Sequence, residues 1–190
     1  GNMMSMAVAS IVLPFLPLLA GQILLINLLT DLPATTIATD SVDAAQLSRP
    51  QRWDIRLIRN YMIVFGAISS LFDFTTFAVL RLGFHAHAVE FRSAWFLGSV
   101  LTEVCVLFVL RTRGRFYRSK PSRWVVLSSL AIIPITIAIP FSPFGPALGL
   151  IPIPIDLLGL IVLITFGYVI ATEIAKRFFW HRAANAGESG

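Results

Sequence analysis

Asn27-Leu28-Leu29-Thr30-Asp31-Leu32-Pro33-Ala34-Thr35 decides how this chain folds. The stretch lies inside an apolar run, from about residue 19 to 38, that is predicted to cross a membrane. A carboxylate in hydrocarbon costs a few kcal/mol or more, so Asp31 marks a functional position. Asn27, Thr30 and Asp31 are spaced i, i+3, i+4, which puts them on one face of a helix. Pro33 has no amide proton and frees a carbonyl one turn back. Three oxygen-bearing side chains beside loosened backbone make a candidate cation site. A second interpretation stays open: Asp31 caps a helix that restarts at Pro33. The two are compatible.

The whole chain is consistent with a membrane setting. Of its 190 residues 56% are hydrophobic and 13% charged, and the mean hydropathy is +0.80, which excludes an ordinary soluble domain. The apolar runs are continuous rather than alternating, so the expected fold is an all-α transmembrane bundle, not a β-barrel. Full spans are predicted at about 19–38, 57–82, 93–110, 124–139 and 155–175. Residues 1–18, broken by Pro14 and Pro17, form a truncated first helix. The chain opens on Gly1 without a signal-peptide pattern, so it is expected to begin within a larger protein. Residues 1–182 are predicted to form one membrane domain, and 183–190 a polar C-terminal tail.

Basic residues set the orientation. Thirteen of the 15 Lys and Arg fall at 49–59, 111–123 and 176–182, on alternate connections; Arg81 and Arg92 are the other two. The positive-inside bias makes those three regions, and the C-terminus, cytoplasmic. It also explains the net charge of +5 without any nucleic-acid partner. The run from Arg111 to Arg123 is expected to lie solvated against anionic headgroups, and Trp53 and Trp180 suit the headgroup level.

Further polar groups fall within predicted helices. Asp73 and Glu103 are intramembrane acids, each either an ion ligand or proton carrier, or a structural hydrogen-bonding group facing a neighbour. Asn2 and Ser5 are expected to bond between helices. His85 and His87, with Glu90, suit a solvated turn better than a metal site. Cys105, the sole cysteine, is expected to pack inertly.

Several of these stretches resemble one family. Asn27 to Thr35, followed by an acidic patch and Arg49-Pro50, resembles the sixth membrane helix and following loop of P-type cation-transporting ATPases. Gly1-Asn2-Met3-Met4 resembles the middle of their fifth helix. Arg49-Pro50-Gln51-Arg52-Trp53-Asp54, Ser70-Leu71-Phe72-Asp73-Phe74-Thr75-Thr76-Phe77, Leu110-Arg111-Thr112 and Ile139-Pro140-Phe141-Ser142-Pro143-Phe144-Gly145 look like the magnesium-transporting subgroup. The resemblance spans essentially the whole chain, as the end of helix five through helix ten.

The resemblance implies an ATP-driven pump of a bacterial inner membrane, with Asn2, Asn27, Thr30, Asp31 and Glu103 contributing to the cation site. Two departures from the calcium pumps matter. No glycine separates Asp31 from Leu32, and Asn2 stands where those pumps carry a glutamate. Fewer anionic ligands suit Mg2+, which keeps several waters and needs one or two carboxylates. The 190 residues contain no Asp-Lys-Thr-Gly-Thr, Thr-Gly-Glu or Gly-Asp-Gly-x-Asn-Asp motif, so ATP chemistry would belong to other domains of the same pump. The alternatives are the same domain in a calcium, manganese or proton pump, and a non-catalytic membrane fragment serving as a structural subunit.

Overall fold

The computed structural model describes residues 2–37, 55–112 and 121–187, with side chains up to residue 181. The acidic and basic connection around Asp40 to Asp54, and most of the basic loop (113–120), lie outside the described residues. The fold is all-helical among those described. Helix α1 runs Asn2–Val12, α2 Ala20–Thr36, α3 Ile55–Ala78, α4 Ala88–Leu110, α5 Arg123–Ala138, a short α6 Phe144–Ala147 and α7 Ile155–Gly187. Four stretches are long and apolar enough to cross a membrane: Ile55–Gly83, Ala88–Leu110, Arg123–Phe141 and Ile155–His181. Helix α2, with 17 residues, sits at the short end of the spanning range.

Direction follows from paired contacts. Helices α2, α4 and α7 run parallel: Arg92 Nε donates to the Leu16 carbonyl at one end, at 2.9 Å, and Lys176 Nζ donates to the Val109 carbonyl at the other, at 2.8 Å. Helix α3 runs the opposite way, with Phe72 against Tyr168 and Tyr61 against Phe179. Helix α5 is likewise antiparallel to α2, joined by the Thr36 and Ser128 hydroxyls at 3.2 Å.

Helix α4 is the centre. Every residue from 93 to 101 is buried, so all of its faces are covered by neighbours. Trp95, Phe91 and Phe96 are almost fully enclosed. Phe77 of α3 packs edge-on against Trp95, with centroids 4.5 Å apart, and Phe15 meets Phe91 at 5.5 Å. By contrast, large apolar residues such as Leu28, Leu71, Leu130 and Phe166 are exposed on the outer helices, as a lipid-facing surface requires.

Several boundaries differ from the sequence expectation. Helix α2 runs unbroken through Pro33, so Asp31 is an interior residue and not a cap. The lost amide removes one bond, from the Leu29 carbonyl, and the remaining turns hold. Helix α4 begins at Ala88, five residues early, because Glu90 suits a helix N-terminus. Helix α7 continues to Gly187, through the predicted start of the tail. Its 33 residues extend about 50 Å, well beyond a hydrocarbon core.

The proline-rich connection between α5 and α7 folds down onto the bundle. Buried Gln22 accepts a bond from the Leu19 amide at 2.9 Å and donates to the carbonyls of Leu148, at 2.9 Å, and Gly149, at 3.2 Å. The Ile151 amide donates to Ser93 Oγ at 2.9 Å. Gly149 takes a φ of +66°, which glycine adopts without strain. Gly145 is needed for close approach: a Cβ there would stand 2.7 Å from the Pro140 carbonyl oxygen. Gly145→Ala is expected to cost about 1–3 kcal/mol, because backbone cannot yield as a side chain does. Thermal unfolding in detergent checks this, and an unchanged midpoint would contradict it.

Candidate functional site

Three helices bring polar groups together beside α4. Asn2 of α1 donates through Nδ2 to Glu103 Oε1 at 2.5 Å. The Thr30 side chain of α2 lies beside the Glu103 carboxylate. Thr30 Oγ1 itself bonds the Ile26 carbonyl at 3.0 Å, which fixes its rotamer on the helix. Helix spacing then sets Asp31 next to Thr30, and both line a groove of about 490 Å³ shared with Glu103 and Arg111.

Of the five sequence candidates, Thr30, Asp31 and Glu103 line one groove between α2 and α4, with Asp31 on its exposed side, and Asn2 of α1 joins them through Glu103. Asn27 does not line the groove; it is exposed one turn earlier on α2. The gathered set offers an amide, a hydroxyl and two carboxylates, all hard oxygen donors. At about 30 Å³ per water, the groove has room for a hydrated ion. Among the described residues no three His, Cys, Asp or Glu side chains cluster as a metal site, so any cation here relies on waters and neutral oxygens as well. His85 and His87 do not make such a cluster with Glu90.

Asp73 faces the bundle and not the lipid. It is only 8% exposed, and Trp95 Nε1 donates to its Oδ1 at 3.4 Å. Ser5 of α1 also reaches the carboxylate. Cys105 is half-buried and unbridged.

One buried network escaped the sequence reading. Lys176, expected to anchor at the interface, is 1% exposed. Its ammonium lies 2.7 Å from Glu173 Oε2 and donates to the Val109 carbonyl near the end of α4. Arg177 Nε reaches Glu173 Oε1 at 3.3 Å. Helix ends leave carbonyls unpaired, and a lysine is well suited to satisfy one. The spacing Glu173, Lys176, Arg177 was the available signal; the parallel run of α4 and α7, which buries it, was not.

Bundle and groove together define a class: a polytopic, all-helical membrane domain with oxygen-bearing side chains along a groove between two helices. Within that class, the chain belongs to the family described as cation transporting ATPase, C-terminus, which matches residues 15–178. It is 37% identical over 187 residues to the magnesium-transporting ATPase, P-type 1, of Escherichia coli, a match covering 96% of this chain and 21% of that protein. The protein of the same name from Salmonella typhimurium is 34% identical over the same length and coverage. The chain thus spans about a fifth of the length of these relatives, as a P-type C-terminal membrane domain.

The Lys176 network can be tested directly. Lys176→Met leaves the buried Glu173 with the half-exposed Arg177 alone and is expected to cost about 3 kcal/mol, and adding Glu173→Gln should restore most of it. Equal instability of the single and double variants, in denaturant unfolding, would show that the ion pair is not what matters.

Proposed function

We propose that this chain forms part of the ion pathway of a magnesium-translocating P-type ATPase. Asn2, Thr30, Asp31 and Glu103 contact the transported Mg2+ or its waters, and Asn27 extends the same face of α2. The observation that carries this reading is the meeting of Thr30, Asp31 and Glu103 along one groove. Two carboxylates with room for water match the coordination Mg2+ prefers, since it dehydrates reluctantly and takes few protein ligands. Similarity to magnesium-transporting relatives supports that ion over calcium, manganese or the proton.

In the complete pump, ATP hydrolysis in other domains would alternate access to the groove. The exposed Asn27 and Asp31 edge of α2 is where a further transport helix would close the site. Residues 1–182 act as the membrane domain and 183–190 as a tail. Orientation follows charge: Arg81 and Arg92 flank Phe15 at one end of the bundle, while Arg111, Arg123, Lys176 and Arg177 gather at the other. The basic end, with the C-terminus, faces the cytoplasm of a bacterial inner membrane.

Two substitutions test this in the full-length protein. Asp31→Asn should abolish Mg2+-dependent phosphoenzyme formation while expression persists. Glu103→Gln keeps an oxygen for Asn2 but removes the charge. A charged contact contributes about 1.5–3 kcal/mol, so half-saturation by Mg2+ should rise roughly ten- to hundredfold. Near-normal Mg2+ transport by both variants would remove these residues from the pathway.

A further inference from the structure

A second polar chamber lies deeper in the bundle, between α3, α4 and α7. Its volume is about 20 Å³, space for one water-sized body. Ser69, Asp73 and Thr76 of α3, Thr102 of α4, and Thr165 and Tyr168 of α7 supply its polar lining. It shares no lining residue with the groove at Asp31 and Glu103.

The hydrogen bonds give this lining a definite character. Thr76 Oγ1 donates to the Phe72 carbonyl at 2.9 Å, Thr102 Oγ1 to Gly98 at 2.9 Å, and Thr165 Oγ1 to Ile161 at 2.8 Å. Each threonine proton is thereby committed to its own helix, and only lone pairs remain for the chamber. Ser69 and Tyr168 lie close enough to interact, and their hydroxyls are the adaptable members of the lining. The Trp95 N–H is directed at Asp73 Oδ1, while Asp73 Oδ2 is buried without a hydrogen-bond partner. No Lys, Arg or His lines the chamber. The nearby titratable groups on the packed helices are Tyr168 of α7 and Glu103 of α4; from α1 the Ser5 hydroxyl reaches the carboxylate, and the only positive charge that bears on it is the amino group at residue 1, outside the chamber lining.

A buried carboxylate is tolerated only when its charge is neutralised or paired. A small space with threonine lone pairs around an unpartnered Oδ2 therefore favours a small positively charged occupant. We propose that the chamber is a second cation site, separate from the groove, that holds one unit of positive charge against Asp73 Oδ2. The charge arrives either as a sodium-sized ion stripped of water or as a proton carried on Asp73. Hydrated Mg2+ does not fit, because it keeps several waters and the chamber has volume for one.

Infrared difference spectroscopy of the full-length protein, labelled with 13C-aspartate and held in lipid nanodiscs, distinguishes the two sources. Sodium chloride is exchanged for the chloride of a bulky organic cation at neutral pH. If a small ion fills the site, the exchange shifts an ionised-carboxylate band that Asp73→Asn removes. If a proton does, a protonated-carboxyl band persists in both salts and is again removed by Asp73→Asn. An Asp73 band that is ionised and indifferent to the exchange overturns the proposal. Thr165→Val preserves shape and removes one acceptor, so it serves even if Asp73→Asn fails to fold. It should weaken sodium half-saturation about three- to tenfold, or shift the protonated band's titration correspondingly. No change in either quantity would also overturn the proposal.

Discussion

Hydrocarbon offers a polar side chain no hydrogen bonds, so each one inside this bundle must find its partner within the protein. That constraint explains why α4 is central. Glu103 lies on it, accepts from Asn2 of α1 and has Thr30 of α2 beside it. Asp73 of α3 turns toward it and meets Trp95. Lys176 of α7 pairs with Glu173 and bonds the Val109 carbonyl of α4. Charged groups of α3 and α7 thus meet the helix that carries Glu103 and is covered all round from 93 to 101. Aromatic packing of Phe77, Phe91 and Trp95 then fills the space between the polar contacts.

The proposed division of labour follows from this arrangement. The groove beside Asp31 is broad, open and lined by two carboxylates, as a site for a hydrated divalent ion should be. The chamber beside Asp73 is far smaller, with one carboxylate and threonine lone pairs. Size and charge thus separate two polar regions that both abut α4. The loop after α5, stitched by Gln22 and Ser93, closes the end of the bundle opposite the Lys176 network.

Much of this was open to a reader of the sequence alone, for physical reasons. Continuous apolar runs announce helices, and the alternation of arginines sets the orientation proposed for them. Thr30 and Asp31, grouped by the i, i+3, i+4 spacing, and Glu103, reached through the resemblance, line one groove, and Asn2 meets Glu103. Pro33 misled, because one missing hydrogen bond does not break a helix whose other turns are intact. Asn27 was grouped with Asp31 by spacing, yet packing leaves it outside the groove. Lys176 looked like an interfacial anchor because nothing local tells which face of α7 meets α4. The primacy of α4 was equally hidden: centrality is a property of neighbours, and Trp95 to Leu101 is no more apolar than the other spans.

The most telling measurement is a high-resolution density map of the full-length protein trapped with Mg2+. The expected result is an ion in the groove between α2 and α4, with waters in its coordination shell and the Asp31 and Glu103 carboxylates in contact with the ion or those waters. An ion bound elsewhere in the membrane, with the groove filled by lipid or by apolar side chains, would contradict the proposed pathway.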